Sequence, residues 1–112
     1  MSQEIRLGCE PLRELGFAAV LAGYSMVGTR LNHPARMIYI QNLTDALLML
    51  SFNGVDDHFP LPANGFLLLD VTSNKTASQG FFISGGQGIY AKQMEVPTSG
   101  SVYVTSFYGS YI

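Results

Sequence analysis

Short apolar runs separated by glycine-containing turns make up most of this chain. The runs are rich in leucine, β-branched and aromatic residues, and they occupy residues 37–41, 46–52, 65–71, 81–84, 89–93 and 101–108. Short strands that recur between turns are typical of a β-sandwich or a β-barrel. The pattern therefore predicts an all-β, antiparallel domain.

Several of these runs are apolar on both faces. Residues 46–52 place leucine and alanine on one face and leucine and methionine on the other, while residues 101–108 divide valines from Tyr103 and Phe107. A strand with one solvated face alternates cleanly between apolar and polar side chains. Because the chain offers little helix to cover a second face, we expect a partner to cover it.

Residues 1–16 lack this strand pattern and carry three of the eight acidic and two of the six basic side chains. They predict an irregular N-terminal arm, followed by one sandwich domain at residues 17–112. The arm either lies disordered or along an edge of the fold, or it is exchanged with a neighbouring subunit. We further expect residues 17–24 to be extended and residues 58–61 to add a short strand.

The composition favours protein contacts over nucleic acid. Apolar residues make up 47% of the 112 residues and charged residues 12%, about half the usual charged share. A small domain with few charges exposes apolar surface, which commonly marks an interface. The net charge is −2 and the six basic residues are scattered, so nucleic acid is not an expected partner.

Cysteine usage and hydropathy predict an intracellular, soluble protein. The single cysteine, Cys9, has no internal partner for a disulfide, so stability must come from packing, as in a reducing cytoplasm. No apolar run approaches the roughly 18 residues of a membrane span. The first 15 residues lack the basic start and apolar stretch of a signal peptide.

Candidate catalytic, metal and cofactor chemistry is weak. The two histidines, His33 and His58, have no nucleophile elbow in the sequence. Asp56, Asp57 and His58 could bind a metal together only in a loop, because neighbouring residues of a strand point to opposite faces. We expect these residues to form a solvated turn. The glycine-rich stretch 85–88 lies between strands and suits a hairpin rather than a phosphate loop. We expect no enzyme activity, no metal and no cofactor.

Interface residues are expected at both ends of the chain. Tyrosine and phenylalanine are enriched at protein interfaces, and the C-terminal run is rich in both. The predicted interface residues are Leu7, Leu12 and Leu15 of the arm and Tyr103, Phe107, Tyr108 and Tyr111 of the C-terminal run.

The order of motifs from Arg36 onward resembles a group of small virion proteins from tailed bacteriophages. The blocks that carry the resemblance are Ile40-Gln41-Asn42-Leu43-Thr44-Asp45, Ser51-Phe52-Asn53-Gly54, Leu68-Leu69-Asp70-Val71-Thr72-Ser73-Asn74-Lys75, Ile89-Tyr90-Ala91-Lys92 and Pro97-Thr98-Ser99-Gly100-Ser101-Val102-Tyr103-Val104. The resemblance covers about two-thirds of the chain. The proteins that the chain resembles are the jelly-roll decoration (cement or stapling) proteins on the heads of short-tailed phages.

The resemblance implies a jelly-roll-like sandwich that forms homodimers or higher homo-oligomers on the capsid surface and clamps neighbouring major capsid subunits. Such a protein resides in the virion and, before assembly, in the host cytoplasm. Two other hypotheses stay open. One is a different virion component of the neck, tail or fibre base; the other is a carbohydrate-binding module that uses exposed tyrosines.

Overall fold

The computed structural model describes residues 5–71 and 83–111. These residues form nine β-strands and one 3-10 turn at Phe17–Ala19. The strands are β1 Ile5–Cys9, β2 Arg13–Gly16, β3 Ser25–Met26, β4 Met37–Asn42, β5 Leu48–Ser51, β6 Phe59–Leu61, β7 Phe66–Asp70, β8 Tyr90–Gln93 and β9 Ser101–Tyr111. They build two antiparallel sheets, and the predicted β-sandwich is confirmed.

The last strand, β9, organises the larger sheet, whose order is β1-β9-β4-β7. On one side β9 pairs with β4, where Val104 lies opposite Ile40. On its other side it pairs with both β1 and β2, so the first two strands share one partner. β7 pairs with the far side of β4 and is the outermost described strand on that side.

The smaller sheet has the order β3-β8-β5-β6. Its central strands place Leu50 opposite Ala91, and neither side chain has exposed surface. Pro60 lies in the edge strand β6. An edge strand accepts proline because the absent N–H leaves no ladder bond unmade.

One apolar core lies between the two sheets. In β4, Ile38 and Ile40 have no exposed surface, whereas Tyr39 between them is partly exposed. In β9, Val102 and Val104 are fully buried in the same alternation. Burying a side chain of this size contributes about 1.5–3 kcal/mol, so these positions dominate the stability of the fold.

A buried asparagine fixes the turn that follows β4. The Asn42 side-chain amide donates to the carbonyls of Ala46 and Leu61 at 2.9 Å each and of Pro62 at 3.1 Å. Its oxygen accepts the Thr44 hydroxyl at 2.6 Å. Asn42 therefore satisfies buried backbone groups from two separate segments and joins them.

Gly100 precedes β9 in a conformation that favours glycine. Its φ is +86°, and a Cβ atom there would lie 2.0 Å from the carbonyl oxygen of Leu43. The Leu43 N–H donates to the Ser101 carbonyl at 3.0 Å, so the two backbones run in close contact. This approach leaves no space for a side chain at position 100.

The N-terminal segment corrects the expectation of an irregular arm. From Ile5 onward it forms β1 and β2, which lie along the edge of the larger sheet. Ile5, Leu7 and Cys9 alternate with polar or small residues, which is the period of a strand with two different faces.

Residues 17–24 also differ from the prediction of an extended run. They begin with the 3-10 turn Phe17–Ala19, after which Val20 is buried and only 4% exposed. The predicted strand at 58–61 is confirmed as Phe59–Leu61. Of the predicted strand 81–84, residues 81–82 lie outside the described residues, and Ile83 forms an isolated bridge with Ala35. The jelly-roll order of strands stays a prediction.

Candidate protein-binding surface

The larger sheet has a face that points away from the core. Residues opposite each other in an antiparallel pair share a face, and so do alternate residues of one strand. The resulting outer face consists of Leu7, Cys9, Glu14, Met37, Tyr39, Gln41, Phe66, Leu68, Asp70, Ser101, Tyr103, Thr105 and Phe107.

Large apolar side chains dominate the outer face, and several are well exposed. Leu7 is 71% exposed, Phe66 64% and Leu68 54%. The rings of Tyr39 and Phe66 lie 5.7 Å apart at 59°, which makes a continuous aromatic patch across β4 and β7. Exposed apolar area of this kind, gathered on one face, commonly marks a protein interface.

Charge on the outer face is limited to two carboxyl groups at its margins. Glu14 lies in β2 and accepts the Ser101 hydroxyl at 2.8 Å, and Asp70 ends β7. Among the described residues, no basic side chain shares the face. A nearly uncharged apolar surface suits contact with another protein better than contact with a phosphate backbone.

The predicted interface residues divide between the surface and the interior. Leu7, Tyr103 and Phe107 lie on the outer face. Leu15 belongs to the core and is only 9% exposed. Leu12 is 59% exposed, does not belong to the outer face and lines a groove of about 270 Å³.

The last two predicted residues are placed by strand pairing. Tyr111 lies opposite Ile5 at the end of β9; its side chain lies outside the described residues. Tyr108 points to the opposite side of β9 from Phe107 and stacks on His33, with ring centroids 3.8 Å apart and planes 7° from parallel. It also covers Gly8, where a Cβ atom would lie 2.4 Å from the tyrosine ring.

β4 and β7 contribute to the outer face, although no interface residue was predicted in either strand. Phe66, Leu68 and Tyr39 occur in runs that are apolar on both faces, which is the signal that marks them. Periodicity alone does not say which of two apolar faces packs inward. The pairing register supplies that information.

A buried ion pair lies beneath the N-terminal strands. The Arg13 guanidinium donates to the Glu10 carboxylate at 2.6 Å, and the two side chains are 4% and 2% exposed. Arg13 also donates to the carbonyls of Thr29 at 2.8 Å and Arg30 at 2.9 Å, and to the Ser106 hydroxyl at 3.3 Å. The Arg13 guanidinium therefore forms hydrogen bonds with residues from three separate segments of the chain.

The Glu10 carboxylate is the acceptor that completes this network. It accepts the Asn32 N–H at 3.2 Å, and its second oxygen lies 2.6 Å from Nδ1 of His33. Burial by itself raises the pKa of Glu10, but the hydrogen bonds from His33, Asn32 and Arg13 and the charge of Arg13 outweigh it. Together they lower the pKa from 4.5 to about 2. Glu10 is thus an ionised structural group.

Asp56 and Asp57 form hydrogen bonds with different partners. Asp57 accepts the hydroxyl of Tyr24 and forms an ion pair with Lys92 at 2.9 Å. Asp56 accepts the Asn53 amide at 2.8 Å. Burial raises the pKa of Tyr24, and the hydrogen bond and charge of Asp57 raise it further, to about 12.

The described part of the chain contains no cluster of three or more histidine, cysteine or acidic side chains arranged to bind a metal ion. Within that same part, no helix is both long enough and apolar enough to span a membrane. Comparison of the chain with protein-family models, curated proteins and solved structures finds no match. Function is therefore inferred from the geometry and the sequence.

Proposed function

We propose that this chain is a structural docking protein that binds the surface of another protein through its outer face. The observation that carries the proposal is that the outer face exposes Leu7, Phe66 and Leu68, with Tyr39 in ring contact with Phe66. A solvated sheet face ordinarily carries polar side chains. The apolar patch is explained if a partner covers it.

The size of the exposed patch indicates weak individual contacts. Burying a large apolar side chain fully is worth about 1.5–3 kcal/mol. At 64% and 54% exposure, Phe66 and Leu68 each have about 1–2 kcal/mol to gain. Association costs at least about 4 kcal/mol in lost freedom, so one copy alone binds weakly. Many copies on a repetitive surface gain strength from multivalency.

A phage head is a repetitive surface of this kind, and the specific proposal is a capsid decoration protein that clamps neighbouring major capsid subunits. Support comes from the resemblance of the motif blocks after Arg36 to virion proteins and from the low charge of the chain. Low charge limits repulsion between crowded copies.

Quantitative mass spectrometry of purified particles tests the specific proposal. A copy number comparable to that of the major capsid protein supports a decoration protein. A few copies per particle would instead indicate a neck, tail or fibre-base component. Absence from particles, together with saturable binding on a glycan panel, would replace the proposal with the carbohydrate-binding alternative.

Rebinding to particles stripped of the protein tests the outer face itself. We expect the double variant Leu7→Thr/Phe66→Thr to lose binding, because both side chains are more than 60% exposed on that face. Threonine keeps the strand preference. The matched control is Val55→Thr/Val96→Thr, since Val55 is 79% and Val96 73% exposed at other sites. Equal binding by both double variants would reject the outer face as the docking surface.

A further inference from the structure

The free edge of β7 is the least protected strand edge in the described part of the fold. In the smaller sheet, edge strand β6 contains Pro60, and edge strand β3 has only two residues. At the other edge of the larger sheet, β1 and β2 are separated by residues 10–12, which include Pro11. β7 is five residues long, has the sequence FLLLD and contains neither proline nor lysine. Proline, lysine and short length are the usual devices that prevent strand edges from pairing.

The hydrogen bonds at both ends of β7 show which of its backbone groups face this edge. Asn42 N–H donates to the Gly65 carbonyl at 2.9 Å, and Val71 N–H donates to the Arg36 carbonyl at 2.8 Å. Bonding alternates along an antiparallel strand, so Leu67 and Leu69 share the direction of Gly65 and Val71, toward β4. The N–H and C=O groups of Phe66 and Leu68 point away from β4, and no described strand pairs with them.

We infer that this edge pairs with the β7 edge of a second copy of the chain, antiparallel and centred on Leu68. The two-fold axis then passes between the two Leu68 residues, which exchange both of their backbone hydrogen bonds. Leu67 of each copy lies opposite Leu69 of the other, so the inner faces pair leucine with leucine. The two larger sheets become one continuous sheet.

A second copy fits this edge because the strand is complementary to itself. Its central three residues are all leucine, so reversal of direction changes neither side-chain size nor polarity there. No basic side chain in β7 opposes pairing. A two-fold axis also brings two outer faces side by side, which doubles the apolar surface available for docking.

The dimer is expected to be weak in isolation. Five residues on each side fall well short of the roughly 1,200 Å² that stable interfaces bury. Crowding of copies on a docking surface raises their local concentration and favours pairing. The inference therefore extends the proposed docking function, and its tests use no capsid, so each can fail without the other.

Amide hydrogen exchange by NMR provides the direct test. In the monomer, no described strand pairs with the Leu68 N–H, so we expect it to exchange faster than the N–H groups of Leu67 and Leu69, which β4 protects. When about nine-tenths of the chains are paired, Leu68 exchange slows about tenfold, because only unpaired chains exchange. Leu67 and Leu69 serve as internal controls that stay protected at every concentration. Leu68 exchange that does not change up to millimolar protein overturns the inference.

Sedimentation of two variants separates backbone pairing from side-chain burial. Leu68→Pro removes the outward N–H and leaves the bonds to β4, so we expect it to stay monomeric. Leu68→Thr removes the apolar side chain, keeps the N–H and should still dimerise at high concentration. A folded Leu68→Pro variant that dimerises like the native chain would place the contact elsewhere. If Leu68→Pro does not fold, the exchange measurement on the native chain decides.

Discussion

Glu10→Gln replaces the buried carboxylate by a neutral amide of nearly the same shape. The change removes the negative charge beside Arg13, whose side chain is only 4% exposed, and leaves that cation without a counter-charge. Removing one partner of a buried ion pair costs about 3–5 kcal/mol. We therefore expect a large loss of stability from a substitution that changes no packing volume.

The lowered pKa of Glu10 gives an independent magnitude. A pKa of about 2 in the folded chain, against 4.5 when unfolded, is worth about 3 kcal/mol at roughly 1.4 kcal/mol per pKa unit. Because the folded pKa is the lower one, this stabilisation is complete above pH 4.5 and is lost as pH falls toward 2. The variant has no such group, so its difference from the native chain should shrink to under about 1 kcal/mol at pH 2.

Urea unfolding at several pH values from 7 down to 2 measures both effects. The matched control is Glu14→Gln, because Glu14 is exposed and also accepts a side-chain hydrogen bond, from Ser101. We expect that control to lose less than about 1 kcal/mol. The reasoning is refuted if the two variants lose equal stability at pH 7, or if the loss in Glu10→Gln stays constant down to pH 2.

Three further changes probe other parts of the fold. Gly100→Ala should cost at least about 2 kcal/mol in urea unfolding, because the new Cβ would meet the Leu43 carbonyl. The control Gly86→Ala should cost about 1 kcal/mol, because Gly86 has a similar φ of +87° but no atom within 4 Å of the added Cβ. Equal losses of stability in the two variants would contradict this. Asn42→Leu should cost about 2–4 kcal/mol in thermal or urea unfolding, since three carbonyl groups lose the hydrogen bond from the Asn42 amide. A loss below about 1 kcal/mol would mean that water replaces the amide as their donor. Ultraviolet titration, with Tyr24→Phe as the reference spectrum, should show that Tyr24 ionises near pH 12. Asp57→Asn should lower this midpoint, and an unchanged midpoint would exclude Asp57 as a cause of the raised pKa of Tyr24.

The sheet strands could be predicted from the sequence because they carry their own signal. Turn residues bound short apolar runs, and the structure places β4, β5, β7, β8 and β9 within the predicted runs or extending slightly beyond them. β1 was missed although Ile5, Leu7 and Cys9 alternate with Arg6 and Gly8, because the charged residues of this segment suggested an irregular terminus.

The site was harder to predict because it depends on long-range pairing. Glu10 and Arg13 belong to the segment predicted as an irregular arm, yet β9 and the 29–33 loop enclose both side chains. Tyr108 and Phe107 are neighbours in a run with apolar residues on both faces, and only pairing with β1 and β4 shows that Phe107 faces outward. Local periodicity contains no information of this kind.

The pairing of β1 and β2 with β9 has a consequence for synthesis on the ribosome. Arg13 and the Ser106 hydroxyl that it contacts are 93 residues apart in the chain. At about 5–20 residues per second, translation takes several seconds or more to deliver the last strand after the first has emerged. During that interval the first strands lack their pairing partner, and the buried charges of Glu10 and Arg13 remain hydrated. The pairing of β1 and β2 therefore waits until β9 has been translated, and it must bring together segments about 90 residues apart, which is a slow step in folding.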